Sequence, residues 1–210
     1  MNCQCEGIEE FFSRKLAEKE LRHYQQKGAT GVTRTLIADV TDGLQPASVL
    51  DIGGGVGVIQ HELLKAGVMQ VTSVEGSTGY ASVAMEEAER LGHAGRLGQM
   101  VGNFVDLAPS VEPADVVTLD KVTCCFDDVE GLVARSAERA KLRYGLVYPR
   151  DNLLMKMILP LVNLFPKIKG SPFRIFLHSS KRIDQIVRSK GLKLRSYRKA
   201  RFWQIAVYAR

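Results

Sequence analysis

The stretch Ser48–Gly67, SVLDIGGGVGVIQHELLKAG, places four glycines where a short apolar run gives way to helical spacing. A strand that turns into a helix in this way exposes backbone N–H groups to an anion or a polar cofactor. The dinucleotide fingerprint G-x-G-x-x-G fits only in part. Gly53 and Gly55 supply its first pair, but Val58 stands at the third position and the glycine arrives one residue early, at Gly57. The run reads D-x-G-x-G-x-G from Asp51. A pyrophosphate would be repelled by Asp51 so close to the turn, whereas an ammonium group would be attracted to it.

Outward from this turn, strand-like and helix-like runs alternate from Val49 to Val147, the βαβ pattern of a parallel sheet. SVLDI, QVTSVE, LGQMVGNF, ADVVTLDKV and YGLVYPR read as five strands, with helices between most of them. LKLRSYR and WQIAVYAR close the chain as a pair whose short spacing suits an antiparallel hairpin. The expected fold is α/β: a seven-stranded mixed sheet with the last strand antiparallel. Residues 1–210 read as one domain. It divides into an N-terminal cap (1–47), a cofactor-binding core (48–150), a lid insertion (151–178) and a closing helix and strands (179–210). The cap segment IEEFFSRKLAEKELRHYQQKG is expected to form one amphipathic helix ended by Gly28.

The 210 residues carry a formal net charge of +6. From Ser179 onward stand ten Lys or Arg and one acid, Asp184, which suits either an anionic partner or cations that protect an edge strand. The most apolar stretch, LLMKMILPLVNLFPKI, is too short and too broken by prolines to span a bilayer, although contact with a membrane surface fits it. The opening MNCQCEGIEEFFSRK is polar and acidic where a secretory segment would be apolar. Cys3, Cys5, Cys124 and Cys125 make a poor disulfide framework and lack the spaced pairs of a zinc site, so a reducing cytoplasm and no metal are expected.

The D-x-G-x-G-x-G turn resembles motif I of the class I S-adenosylmethionine-dependent methyltransferases, and three further features agree. Glu75, followed by Gly76, ends the second strand at the spacing of an acid that grips ribose hydroxyls, a feature shared with NAD enzymes. VGNFVDL follows the third strand, where the family touches adenine. Here Asn103 and Phe104 match, with Asp106 as a second candidate for the adenine edge. LDKVTCCF ends the fourth strand, where the family lines the sulfonium, and Asp120 and Lys121 occupy that place. The resemblance implies S-adenosyl-L-methionine as cofactor, with Asp51, Gly53, Gly55 and Gly57 around its methionine moiety.

The layout also resembles the magnesium-protoporphyrin O-methyltransferases at LRHYQQKG, at LDKVTCCF and at the arm SPFRIFLHSSKRIDQIVRSKGLKL. That likeness implies a small acceptor, apolar and anionic, faced by Tyr24, Cys124 and His178. Where that family tends to carry a His after the fourth strand, this chain has Cys124. Other acceptors remain in view: RNA, a metalloid held by the cysteines, or none at all in a non-catalytic cofactor-binding scaffold. A nucleic acid is the poorer fit, because DKVTCCFDD is not an aromatic, proline-rich base clamp.

Overall fold

The computed structural model describes residues 3–168 and 170–210, without the side chains of residues 3–6 and of Phe165. Three helices lead: α1 (Cys3–Phe11), α2 (Arg14–Lys27) and α3 (Gly31–Thr41). Then come β1 (Ser48–Ile52), α4 (Val58–Lys65), β2 (Gln70–Glu75), α5 (Thr78–Arg90), β3 (Leu97–Val101), the single turn α6 (Phe104–Leu107) and β4 (Ala114–Asp120). The chain continues with α7 (Val129–Glu138), β5 (Ala140–Pro149), α8 (Leu153–Ile168), α9 (Ser180–Ser189), β6 (Lys193–Lys199) and β7 (Trp203–Ala209).

The seven strands form one sheet in the order β3-β2-β1-β4-β5-β7-β6. β1 to β5 are parallel, and β7 runs antiparallel between β5 and β6. This is the sheet expected from the sequence. Its central strands bury both faces, so alternate residues of one strand enter opposite cores. Leu50, Val117, Leu146 and Ala206 join the core with α7 and α9, while Val49, Val116, Val147 and Val207 join the core with α3 and α4. The chain leaves β1 in one direction and returns to β4 on its other side. This topological switch opens a crevice at the carboxyl ends of β1 and β4.

The cap departs from the single helix expected. It breaks after Phe11, and Ser13 takes an extended conformation ahead of α2. Phe12, at the break, packs edge-on against Tyr80 and Phe173. A third helix, α3, was not anticipated; it packs over the sheet through Leu36 and Val40. The lid insertion forms α8, which runs through Pro160 and Pro166 rather than stopping at them. Each proline removes one backbone donor, and the helix absorbs the loss.

Half of the ten cations at the basic end of the chain are paired within the fold. Arg182, Arg188, Lys190, Arg195 and Arg198 pair with Glu130, Asp184, Glu138, Asp42 and Asp39. β6 is the sheet's exposed edge and carries Lys193, Arg195, Arg198 and Lys199, as expected of cations that discourage edge-to-edge pairing.

Candidate active site

The crevice at the switch point is a cavity of about 1000 Å³, at the upper end for small-molecule sites and roomy enough for two ligands. The glycine turn forms one wall. Gly53, Gly55 and Gly57 all have left-handed backbone, with φ of 65°, 57° and 87°. L-residues with a Cβ adopt that conformation at a cost. Gly54 is needed for a different reason, since a Cβ there would strike the Gln60 amide and the Ser73 hydroxyl. A Cβ on Gly55 would meet nothing within 4 Å, so the turn presents open space to the cavity at that point.

Asp51 lies at this wall, 1% exposed. Thr118 donates to its Oδ1 at 2.7 Å, and the Gln60 amide donates to its Oδ2 at 3.3 Å. Burial pushes its carboxyl up to about 7, against the pull of those two donors. A group poised there is ready to ionise when a cation arrives. Gln60 Oε1 is itself buried without a partner.

Glu75 ends β2 and braces the turn. Its Oε2 accepts the Gly55 N–H and its Oε1 accepts the Ser77 N–H, both at 2.9 Å. Burial raises its carboxyl above the usual range, opposed by those backbone donors. Gly76, beside it, also lines the cavity. Beyond β3, Asn103 and Phe104 reach the cavity too, with Asp106 exposed at its rim. The Asn103 oxygen expected at adenine instead accepts the Val105 N–H at 2.9 Å and caps α6. Phe104 is buried and closes that end of the crevice.

The other end is built on β4. Thr33 of α3 donates to Asp120 Oδ2 at 2.5 Å, and Lys121 Nζ donates to Thr33 Oγ1 and to Asp120 Oδ2, each at 3.0 Å. Asp120 Oδ1 is buried and has no partner. Lys121 is the one non-glycine residue with positive φ among the described residues, at 64°. The strain is held by its N–H, which donates to Val147 O, and by its ammonium 5.9 Å over the Trp203 ring. Backbone strain of this kind persists where surrounding structure enforces it, often at functional sites.

Three of the sequence-derived residues fall elsewhere. Tyr24, expected to face substrate, is buried between α2 and α4. Its hydroxyl donates to Glu62 at 2.7 Å and accepts from Lys65 at 3.0 Å, and burial pushes the phenol up to about 12. Cys124 is turned into the fold, where its thiol donates to Lys121 O at 3.2 Å; its neighbour Cys125 lines the cavity instead. His178 Nε2 bonds Phe126 O at 2.8 Å and ties the arm to the β4 turn without lining the cavity. The Cys3 and Cys5 side chains lie outside the described residues.

The structure adds residues that no motif announced. Ile8, Glu9 and Phe12 of the cap close over the crevice. Glu9 accepts the Thr78 N–H at the start of α5 and also bonds the Thr78 hydroxyl, a favourable place for a carboxylate. Thr33 came from the helix that was not anticipated. Gln60 carried a weak signal, as a polar residue among the apolar positions of a buried helix. Among the described residues, none of α8 lines the cavity.

Residues 50–141 match the family described as a methyltransferase domain. Magnesium protoporphyrin IX methyltransferase from Synechocystis PCC 6803, solved with bound S-adenosylhomocysteine, superposes with a TM-score of 0.73 at 20% identity, covering 97% of this chain and 98% of that one. A chain from the complex of the Haloferax volcanii activator Trm112 with its methyltransferase gives 0.72 at 13% identity over 96% of each chain. An O-methyltransferase family protein from Burkholderia thailandensis gives 0.68 at 17% identity, covering 85% of this chain and 56% of that one. No curated protein matches the sequence. The chain therefore shares the fold of these methyltransferases, and its residues 50–141 match the methyltransferase-domain family. The cavity would fit S-adenosylmethionine: it has a glycine cradle open at Gly55, a buried carboxylate at Asp51 and an acid at the end of β2.

Proposed function

We propose that the chain is an S-adenosylmethionine-dependent methyltransferase, and that it methylates a carboxylate oxygen of a flat, apolar, porphyrin-like acceptor. The observation that carries the reading is the Lys121 ammonium, held at the cavity end of β4 on strained backbone by Thr33 and Asp120. An anionic acceptor needs a fixed cation beside it, and here one is oriented before the acceptor arrives. The full-length likeness to the Synechocystis magnesium protoporphyrin IX methyltransferase supports the same acceptor class.

S-adenosylmethionine, when bound, supplies a methyl group already activated by its sulfonium. Asp51 would hold its ammonium, Glu75 its ribose, and the wall near Asn103 and Phe104 its adenine. Asp120 would lie close to the sulfonium. For the acceptor, Lys121 neutralises and aims the carboxylate, while Val122 and Phe126 line the same end of the cavity and keep water out. A carboxylate is deprotonated at neutral pH, so no general base is required. Orientation supplies most of the acceleration.

The test combines an acceptor assay with Lys121→Gly. Glycine adopts a φ of 64° without strain. Folding stability is expected to stay within about 1 kcal/mol of the parent, since relieved strain offsets lost contacts. S-adenosylhomocysteine affinity is expected to hold, whereas methyl-ester formation on a porphyrin dicarboxylic acid falls by roughly 100-fold. Mass spectrometry reads the ester, and its lability to alkali distinguishes it from an N-methyl product. No ester with any hydrophobic carboxylic acid, or an unchanged rate in the variant, contradicts the proposal.

A further inference from the structure

α8 is the most exposed apolar element of the fold. Leu153, Met157, Leu161, Leu164 and Ile168 recur at intervals of four, four, three and four residues, which places them on one face of the helix. That face is turned outward: Leu153 is 73% exposed, Leu161 70% and Ile168 75%. Met155, Ile158 and Leu159 lie on the other side and are less exposed. Lys156 and Lys167 project at one edge of the apolar stripe, both exposed. Lysines so placed extend their stems along apolar surface and keep their ammonium groups in the polar layer.

The surrounding sequence has one sign of charge. Between Asp151 and Asp184 stand six Lys or Arg and no acid. The tip of the β6–β7 hairpin meets the same edge of the sheet, because Trp203 pairs with Pro149 and α8 begins soon after Pro149. At that tip Phe202 is exposed, with the Arg201 guanidinium 4.8 Å over its ring. An apolar helical stripe edged by lysines, beside an Arg–Phe pair, has the composition of a segment that lies in the headgroup layer of an anionic bilayer. Among the described residues no helix is long and apolar enough to cross a membrane.

From this arrangement we infer that α8 and the Arg201–Phe202 tip dock the enzyme onto an anionic lipid surface, lying on it rather than spanning it. β5 is parallel to β4, so α8 departs from the sheet edge that also carries Asp120. Docking there sets the crevice at the membrane interface, where an apolar acceptor would be concentrated. The inference does not depend on the acceptor being a porphyrin.

Flotation of the full chain with vesicles tests it. Phosphatidylcholine vesicles containing about one-third phosphatidylglycerol are expected to capture the protein, and pure phosphatidylcholine to capture roughly tenfold less. The double variant Met157→Asp, Leu161→Asp should lose vesicle binding. Lys156→Glu with Lys167→Glu should weaken binding and reduce its sensitivity to salt. All four substituted positions are exposed and outside the cofactor cavity, so unchanged S-adenosylhomocysteine affinity certifies that the variants are folded. No binding to either vesicle, or equal binding by the aspartate variant, overturns the inference. So does concentration-dependent self-association that the aspartate variant abolishes, since a second copy would then be the occupant of the stripe.

Discussion

Asp51→Asn is expected to weaken S-adenosylhomocysteine binding by about 2–3 kcal/mol at pH 8, the worth of a charge-assisted bond to a buried partner. It is also expected to flatten the pH dependence of that binding. In the parent protein burial places the Asp51 carboxyl at about 7. Affinity for an ammonium ligand should therefore rise through that pH and fall by up to about tenfold per unit below it. Folding stability should move the other way. A carboxyl raised in the folded state contributes most below its unfolded value and progressively less as pH rises to about 7. Calorimetric titrations from pH 6 to 8, set beside unfolding curves over the same range, read both trends. A flat affinity profile in the parent would remove Asp51 from the cofactor's ammonium.

Glu75→Ala carries the second large effect. The side chain holds the Gly55 and Ser77 N–H groups, so its removal both deletes the acid proposed for the ribose and loosens the glycine turn. Cofactor affinity is expected to fall by about 1–3 kcal/mol, roughly 5- to 150-fold. Glu75→Gln should lose less, because its single carbonyl oxygen replaces one of the two acceptors. Calorimetry on the two variants separates the contributions. Unchanged affinity in Glu75→Ala would sink the ribose assignment.

The sheet was legible because its central strands are buried on both faces and so read as apolar runs between glycine-closed helices. The cavity wall was legible for a related reason: Asp51, the glycines and Glu75 sit at or next to strand ends, where chain spacing translates directly into position. The break at Phe12–Ser13 was not readable, because the helical pattern continues across it. What stops the helix is the packing of Phe12 on Tyr80 and Phe173, which are distant in sequence. Cys124 and Cys125 differ by one position in a short 3₁₀ turn, and only the turn's phase decides which faces the crevice. Tyr24 and His178 were placed by likeness of local sequence. Tertiary partners then claimed both, Glu62 and Lys65 for the phenol and a backbone carbonyl for the imidazole. The Thr33–Asp120–Lys121 cluster joins residues from two elements far apart in the chain, and no spacing rule connects them.

Adding S-adenosylhomocysteine and, separately, NADH to the purified protein in a titration calorimeter tests the central claim most directly. Micromolar binding of S-adenosylhomocysteine alone is the predicted result, since the glycine turn beside Asp51 favours an ammonium over a pyrophosphate. Binding of NADH alone, or of neither ligand, would contradict it.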